Sequence, residues 1–539
     1  MVPSAVQMGW KESPAYFCAA SETAQDVAAE RCAETVGSLP RNPLEDMMLP
    51  RDRWPPATVA QTKSGCNNML EVYVDNFCAM AQSTDVEELR HMSRALLHSI
   101  HEVFPPPEVS GLGGEDSVSI KKLKAGEGVW ETRKELLGWV FDGTSRCIEL
   151  PDGKIEAIGE LIDRAKAARS IPRRDYEKLL GKIRHASLGV PGSAGLFTPL
   201  NMALRERSRW ARLSLEVKEA LGDFRVLLKS AAKEPTHVNE LVPGTPAFVG
   251  YCDACRMGAG GVWLLGTKVV APIVWRVEWP DDIKAALVTR ENPSGTISVS
   301  DLEMAGLLLH YLVLEHVVDL CHEHVGAFCD NTPTVSWAAK LASKRSRIAG
   351  RLLRALALRQ RVQRSSPLIT VSIAGVDNDM ADASSRSFGG GGSAWAEAGL
   401  TDDAFLLRFN AAFPLPQKNS WRGFQLSSAI VSRVISVLRG EKSTLESWTQ
   451  LPQNGGSIGA IGASMRVTWE CARSSTRKRS RGASESGPSL VLLAGSGQVA
   501  MATNVLSEFK RFKLRYEPLA RHARWSKGTT SPLGDRNST

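Results

Sequence analysis

The feature that most constrains this 539-residue chain is the order of apolar runs between residues 246 and 388. Residues 247–253, 260–265 and 269–275 are β-branched and aromatic runs, short enough for strands. Residues 301–320 follow with helical spacing, placing Leu302, Ala305, Leu309, Leu312 and His316 on one face. Residues 325–329 form a fourth strand candidate, 347–363 a basic helix and 368–373 a fifth strand. Three strands, a helix, a strand, a helix and a last strand bury their apolar sides as a mixed sheet with helices against it. The expectation is an α/β fold.

Four acids fall at the ends of these elements. Asp253 closes the first strand, Glu303 lies in the first turn of the long helix, Asp330 closes the fourth strand, and Asp382 opens a last short helix. Neighbouring strands lie about 5 Å apart, so carboxylates at their ends can converge. Such a group repels itself unless divalent cations neutralise it, and hard oxygen donors suit Mg²⁺ or Mn²⁺. Two such ions would activate a water and stabilise the leaving oxygen of a phosphodiester. On spacing alone, however, a strand-end aspartate is more often a turn residue than a ligand, and both readings stay open.

The flanking regions are less regular. In residues 1–110, helical spacing covers 15–35 and 85–103, and 69–74 reads as a strand ending at Asp75-Asn76. In residues 111–245, 135–141 looks like a strand running into Asp142-Gly143, and 175–185 and 213–232 look helical. After Phe388 a run of glycines reads as a flexible linker. Leu426, Ala429, Ile430, Val434, Val437 and Leu438 then mark one amphipathic helix. Residues 450–490 are rich in glycine and serine, with a basic cluster at Arg477, Lys478, Arg479 and Arg481, either a nucleic-acid or nuclear-localisation patch or a solvated linker. Trp421 and Trp448 are expected in a core. Hydrophobic residues make up 43% and charged residues 23%, which excludes a disordered or collagenous chain. No apolar run approaches the roughly 18 residues of a membrane span, and the N-terminus has no secretory pattern. A net charge of +8 permits a polyanionic partner. The ten scattered cysteines suggest free thiols inside a cell. Cys252-x-x-Cys255 and the Cys321, His322, His324 cluster raise a zinc reading, but no second cysteine pair completes a ligand set.

The motifs around the four acids carry a resemblance. Asp253-Ala-Cys-Arg-Met-Gly-Ala-Gly-Gly-Val-Trp263 resembles the first motif of type 1 ribonucleases H, and Ser300-Asp-Leu-Glu303-Met-Ala305 resembles their glutamate motif. Phe328-Cys-Asp330-Asn-Thr-Pro-Thr-Val335 is similar to the third motif, and Gly375-Val-Asp-Asn-Asp-Met-Ala-Asp382-Ala-Ser-Ser-Arg386 to the last motif of retroelement enzymes. Asp301, Asp377 and Asp379 compete for the same roles, and Glu303 and Asp382 occupy the matching positions. Upstream, Val6 to Phe17 resembles the glycine and Ser-Pro motif of a reverse transcriptase, and Tyr73-Val-Asp75-Asn76 its Tyr-X-Asp-Asp hairpin. Lys134 to Trp139 and Asp175 to Asn201 are similar to the segments leading to ribonuclease H in DIRS-like and related retroelements.

The resemblance implies five regions: a partial palm at 1–110, a thumb or connection at 111–245, a ribonuclease H-like α/β domain at 246–388, a linker with one helix at 389–490, and a flexible basic tail at 491–539, a possible recombinase-side remnant. It implies two Mg²⁺ or Mn²⁺ ions held by Asp253, Glu303, Asp330 and Asp382, which cut the RNA of RNA–DNA hybrids. The partners would be that hybrid, RNA and DNA, with other retroelement-encoded proteins and no membrane, in cytoplasm or nucleus. Arg347, Arg351, Arg354, Arg359, Arg361 and Arg364 would grip phosphates. The family often has a histidine shortly before the last aspartate, and none stands between His324 and Asp382, so modest turnover is expected. The polymerase site is expected to be incomplete, because the first palm aspartate would precede residue 1 and Asn76 stands where a second is usual, leaving Asp75. The alternative is a catalytically inactive nucleic-acid-binding remnant.

Overall fold

A computed structural model describes residues 13–49, 68–81, 83, 85–106, 109, 116–205, 208–242, 244–264, 272–343, 346–389, 393–415, 420–441, 445–451, 456–459 and 491–493. The Val6 to Glu12 part of the first upstream motif, the glycines at 390–392, Arg345 and the basic cluster at 477–481 lie outside these residues.

The fold is α/β, with helices and strands in several sheets. Its centre is a seven-stranded sheet. Strands β1 (Phe248–Ala254), β2 (Gly258–Leu264) and β3 (Ile273–Glu278) form an antiparallel meander. β4 (Val325–Cys329) pairs parallel with β1, and β5 (Ile369–Ser372) pairs parallel with β4. The expected third strand at 269–275 is described only from residue 272 and runs on to Glu278. The order 5-4-1-2-3 continues beyond β3. There β6 (Arg422–Leu426) pairs parallel, and β7 (Gly456–Gly459) pairs antiparallel with β6. The stretch read as a linker with one helix therefore completes the sheet.

Helix α1 (Val299–Val317) is started by a capping box: Ser298 accepts from the Asp301 N–H, and the Asp301 carboxylate accepts from the Ser298 N–H at 2.9 Å. It is apolar nearly all round because it is buried on nearly every side. Its one fully buried histidine, His310, stacks on Trp263 at 3.9 Å and accepts from Trp275 Nε1 at 3.0 Å. Burial holds that imidazole well below its ordinary pKa, so it is a neutral core residue. Helix α2 (Thr332–Lys340) begins where Asn331 accepts from the Thr334 N–H. Helix α3 (Arg347–Gln363) packs on α1, and the short α4 (Asp379–Ser385) crosses β1 and β2. Helices α5 (Asp402–Ala412) and α6 (Ser428–Leu438) complete this part, with Trp421 and Trp448 buried.

One continuous apolar core runs from Trp139 to Trp448. The expected regions 111–245 and 246–388 share it. Helix Leu215–Lys233 lies against α3 through a ladder of ion pairs: Glu216 with Arg347, Glu219 with Arg351 at 3.5 Å, and Asp223 with Arg354 at 2.8 Å. A second apolar cluster, including Leu89, Leu97 and Trp130, joins helices Ser13–Cys32 and Val86–Val103 to the hairpin Asn68–Tyr73/Asn76–Ala81. Val491–Leu493 pairs with its second strand.

The expected strand at 135–141 is two strands. Arg133–Leu136 and Trp139–Asp142 pair with Leu136 opposite Trp139, so Leu137-Gly138 is a two-residue turn with φ of 55° and 80°. Among the described residues no helix is long and apolar enough to cross a membrane.

Candidate active site

The four acids meet at one end of the neighbouring strands β1 and β4, inside the sheet. Ligand oxygens of Asp253, Asp330 and Asp382 all lie within 4.8 Å of one another. Glu303, the Cys329 thiol and Asp330 form a second such group, so Asp330 belongs to both.

Asp253 stands at the end of β1, opposite Gly260 of β2. Helix α4 lies directly on that glycine: a Cβ there would sit 2.5 Å from Ser384 Cβ and 2.7 Å from the Ser384 and Ser385 backbone. This close approach lets one short helix supply two groups. Asp382 lies beside Asp253 and Asp330, and Ser385, three residues on, donates its hydroxyl to Asp253 Oδ2. Asn378 holds the start of α4 by donating to the Cys252 carbonyl at 3.1 Å. Arg386 Nη2 lies 3.0 Å from Asp382 Oδ1. Glu303 reaches the strand end from α1 and accepts from the Ala254 N–H at 3.2 Å.

Burial is the main influence on these carboxyls. It pushes Asp253 up to about 6 against the Ser385 hydrogen bond, with Asp382 and Asp330 adding to the rise. Burial, then Asp253, Cys329 and Asp330, push Glu303 well above the carboxylate range. Asp382 is also raised by burial, with Arg386 opposing and Asp330 and Asp379 reinforcing. Carboxyls held this close resist joint ionisation unless positive charge enters among them. Their oxygen donors fit a hard divalent cation.

The competing acids sit elsewhere. Asp301 uses both oxygens structurally, one on Ser298 and one on the Ser346 hydroxyl. Asp377 and Asp379 are exposed and belong to neither carboxylate group. Sequence reasoning missed Ser385, Asn378 and Cys329. The Asp382-x-x-Ser385 spacing was the available signal for the first.

At the upstream hairpin Tyr73 pairs with Asn76, and Asp75 lies exposed in the turn. Asn76 is fully buried, and its amide donates to the Tyr73 carbonyl at 3.3 Å and to Asp75 Oδ1 at 2.9 Å. Asp75 belongs to neither carboxylate group.

Of the arginines expected to grip phosphate, two need correction. Arg359 and Arg361 are only 4% and 2% exposed and cannot reach a ligand. Arg359 Nη2 pairs with Glu315 at 3.0 Å, Arg361 pairs with Glu240, and Arg364 lies 3.7 Å from Glu240. Arg347, Arg351 and Arg354 form the ladder described above. The zinc reading finds no convergent set among the described residues. Cys252 Sγ faces the Phe328 carbonyl and Cys255 Sγ the Ser385 carbonyl, while His322 stacks on His237 and His324 Nδ1 accepts from the Gly244 N–H.

No family model and no curated protein sequence matches the chain. Among solved structures it is similar to a foamy viral protease-reverse transcriptase dRH in complex with ds DNA, at 12% identity and a TM-score of 0.24, over 56% of this chain and 46% of that one. It is also similar to a foamy viral protease-reverse transcriptase in complex with dsDNA, at 13% identity and 0.27, over 68% and 60%. A third similar structure is that protein in complex with RNA/DNA hybrid, at 10% identity and 0.19, over 45% and 29%. The chain thus spans less than two thirds of each.

Proposed function

We propose that the chain is a retroelement-derived reverse transcriptase/ribonuclease H fragment whose carboxylate site hydrolyses the RNA strand of RNA–DNA hybrids with two divalent cations, Mg²⁺ or Mn²⁺. The observation that carries this reading is the convergence of Asp253, Asp330 and Asp382, from three separate elements, within 4.8 Å, with Glu303 joined through Asp330. When bound, the cations supply an activated water and charge for the leaving oxygen. Asp253, Glu303, Asp330 and Asp382 would hold them, Asp330 being the residue common to both groups.

The protein's remaining work is positional. The Ser385 hydroxyl orients the Asp253 carboxylate, the Ala254 N–H orients Glu303, and Arg386 offsets part of the charge on Asp382. Restriction to RNA follows from reading 2′-hydroxyls across the wide minor groove. Residues 1–110 are the palm remnant in this reading, and its polymerase site is degenerate at Asp75 and Asn76.

The test is cleavage of a labelled RNA–DNA hybrid, with Mg²⁺ and with EDTA, beside a DNA duplex of the same sequence. RNA cleavage that needs Mg²⁺ and spares the duplex is expected. A folded protein that cuts neither substrate would leave the inactive nucleic-acid-binding remnant. Equal cutting of both would make it a general nuclease.

A further inference from the structure

Far along the chain from the carboxylates, a two-stranded ribbon carries a different kind of surface. Ser170–Pro172 pairs antiparallel with Trp210–Arg212, with Pro172 opposite Trp210 and Ser170 opposite Arg212. The ladder extends at both ends, because the Arg173 N–H donates to the Arg209 carbonyl and the Leu213 N–H to the Arg169 carbonyl. Side chains alternate across a strand. Ala211 accordingly turns into the core, while Trp210 and Arg212 share the outer face.

Two properties of that face stand out. Trp210 is 55% exposed, and it is the one exposed tryptophan among the described residues. Arg205, Arg209 and Arg212 lie within five residues of it along the chain, and Arg169 and Arg174 flank the strand paired with it; all five are exposed, and none forms an ion pair among the described residues. The arginines of α3 are the opposite case, since those from Arg347 to Arg361 meet carboxylates. A ribbon that sets exposed guanidinium groups, without ion pairs among the described residues, next to a bare indole matches an unstacked base beside a run of phosphates. An indole face takes any base, and guanidinium groups take phosphate bidentately.

We propose that this ribbon is a binding platform for single-stranded nucleic acid, with Trp210 stacking on a base and the five arginines following the backbone. Its partner is a single strand because a base inside a duplex has both faces already covered. Recognition would be independent of sequence and steeply dependent on salt. The platform does not rest on the cleavage reading.

The experiment is fluorescence anisotropy of the full chain with labelled oligo-dT of about 16 nucleotides, in EDTA across a salt series. Trp210→Ala should weaken binding about tenfold with an unchanged melting temperature, because the side chain supports no core. The Arg209→Gln/Arg212→Gln double variant should lower the slope of log affinity against log salt by about 1.4, roughly 0.7 for each phosphate no longer neutralised. Asp330→Asn should bind the oligonucleotide like wild type, which separates this surface from the carboxylate site. Wild-type affinity in Trp210→Ala, or an unchanged slope in the double variant, would overturn the proposal. Displacement by polyglutamate as readily as by oligo-dT would overturn it too and assign the face to an acidic protein.

Discussion

Gly260→Ala adds a single methyl group where the molecule has no room for it. The new Cβ would lie 2.5 Å from Ser384 Cβ and 2.7 Å from the backbone of Ser384 and Ser385. Carbon atoms rest at about 3.5–4.0 Å, so the contact requires a displacement of about 1 Å. The obstacle is helix backbone rather than a flexible side-chain tip, so α4 must move as a unit. That helix carries Asp382 and the Ser385 hydroxyl that holds Asp253. Overpacking of this kind costs about 1–3 kcal/mol. A 1 Å misplacement of reacting groups can lower a rate about 100-fold. Gly350→Ala is the control, because a Cβ at that position in α3 meets nothing within 4 Å. Replacing a helix-interior glycine there should stabilise by about 1 kcal/mol and leave cleavage unchanged. Initial rates on a labelled hybrid, with denaturant unfolding of both variants, make the comparison. If Gly260→Ala cleaves at the wild-type rate and unfolds at the wild-type midpoint, the tight seating of α4 is not what positions Asp382.

Asp330→Asn should abolish hybrid cleavage while leaving the circular dichroism spectrum and melting temperature near wild type, since Asp330 sits half-exposed at a strand end. Asp253→Asn should stabilise the metal-free protein at pH 7. Its folded pKa is raised from 3.8 to about 6, so the folded state binds the extra proton and stability falls as pH rises through that window. About two pH units correspond to at most about 3 kcal/mol, less what is lost at Ser385. Urea unfolding of both proteins at pH 4 and pH 7 should show the gain only at the higher pH. Arg359→Met should cost about 3–5 kcal/mol by stranding the buried Glu315, and adding Glu315→Leu should recover most of it, as read from unfolding midpoints.

The elements that carry the acids were legible in the sequence because each is locally consistent. The runs at Phe248–Ala254 and Val325–Cys329 have strand composition, and the helix at Val299–Val317 has both a cap and a long apolar run. Most of the failures share a cause, which is partners supplied from far away. Arg359 and Arg361 look like solvated charges in a basic helix, and only the folded chain brings Glu315 and Glu240 to them. Arg422–Leu426 is too short and mixed to announce a strand, and β3 makes it one. The turn at Leu137-Gly138 hid inside an apolar run, because leucine at positive φ is a poor turn signal. The spacing to Asp382 hinted at Ser385, but not that its hydroxyl would meet Asp253, which lies 132 residues away.

The shared core has a practical consequence for anyone cutting the gene. A fragment chosen to hold only the four carboxylates would begin near residue 246 and stop near 388. Its Arg361 would lose Glu240 and the Glu234 carbonyl, and its third helix would lose Glu216, Glu219 and Asp223. At the other end, Arg359 would lose the Trp448 carbonyl, 2.8 Å away, and β3 would become a bare edge. An unpaired strand edge is a template for other chains, so such a fragment should be expressed as inclusion bodies. A soluble piece must reach back through the helix Leu215–Lys233 and forward past Trp448.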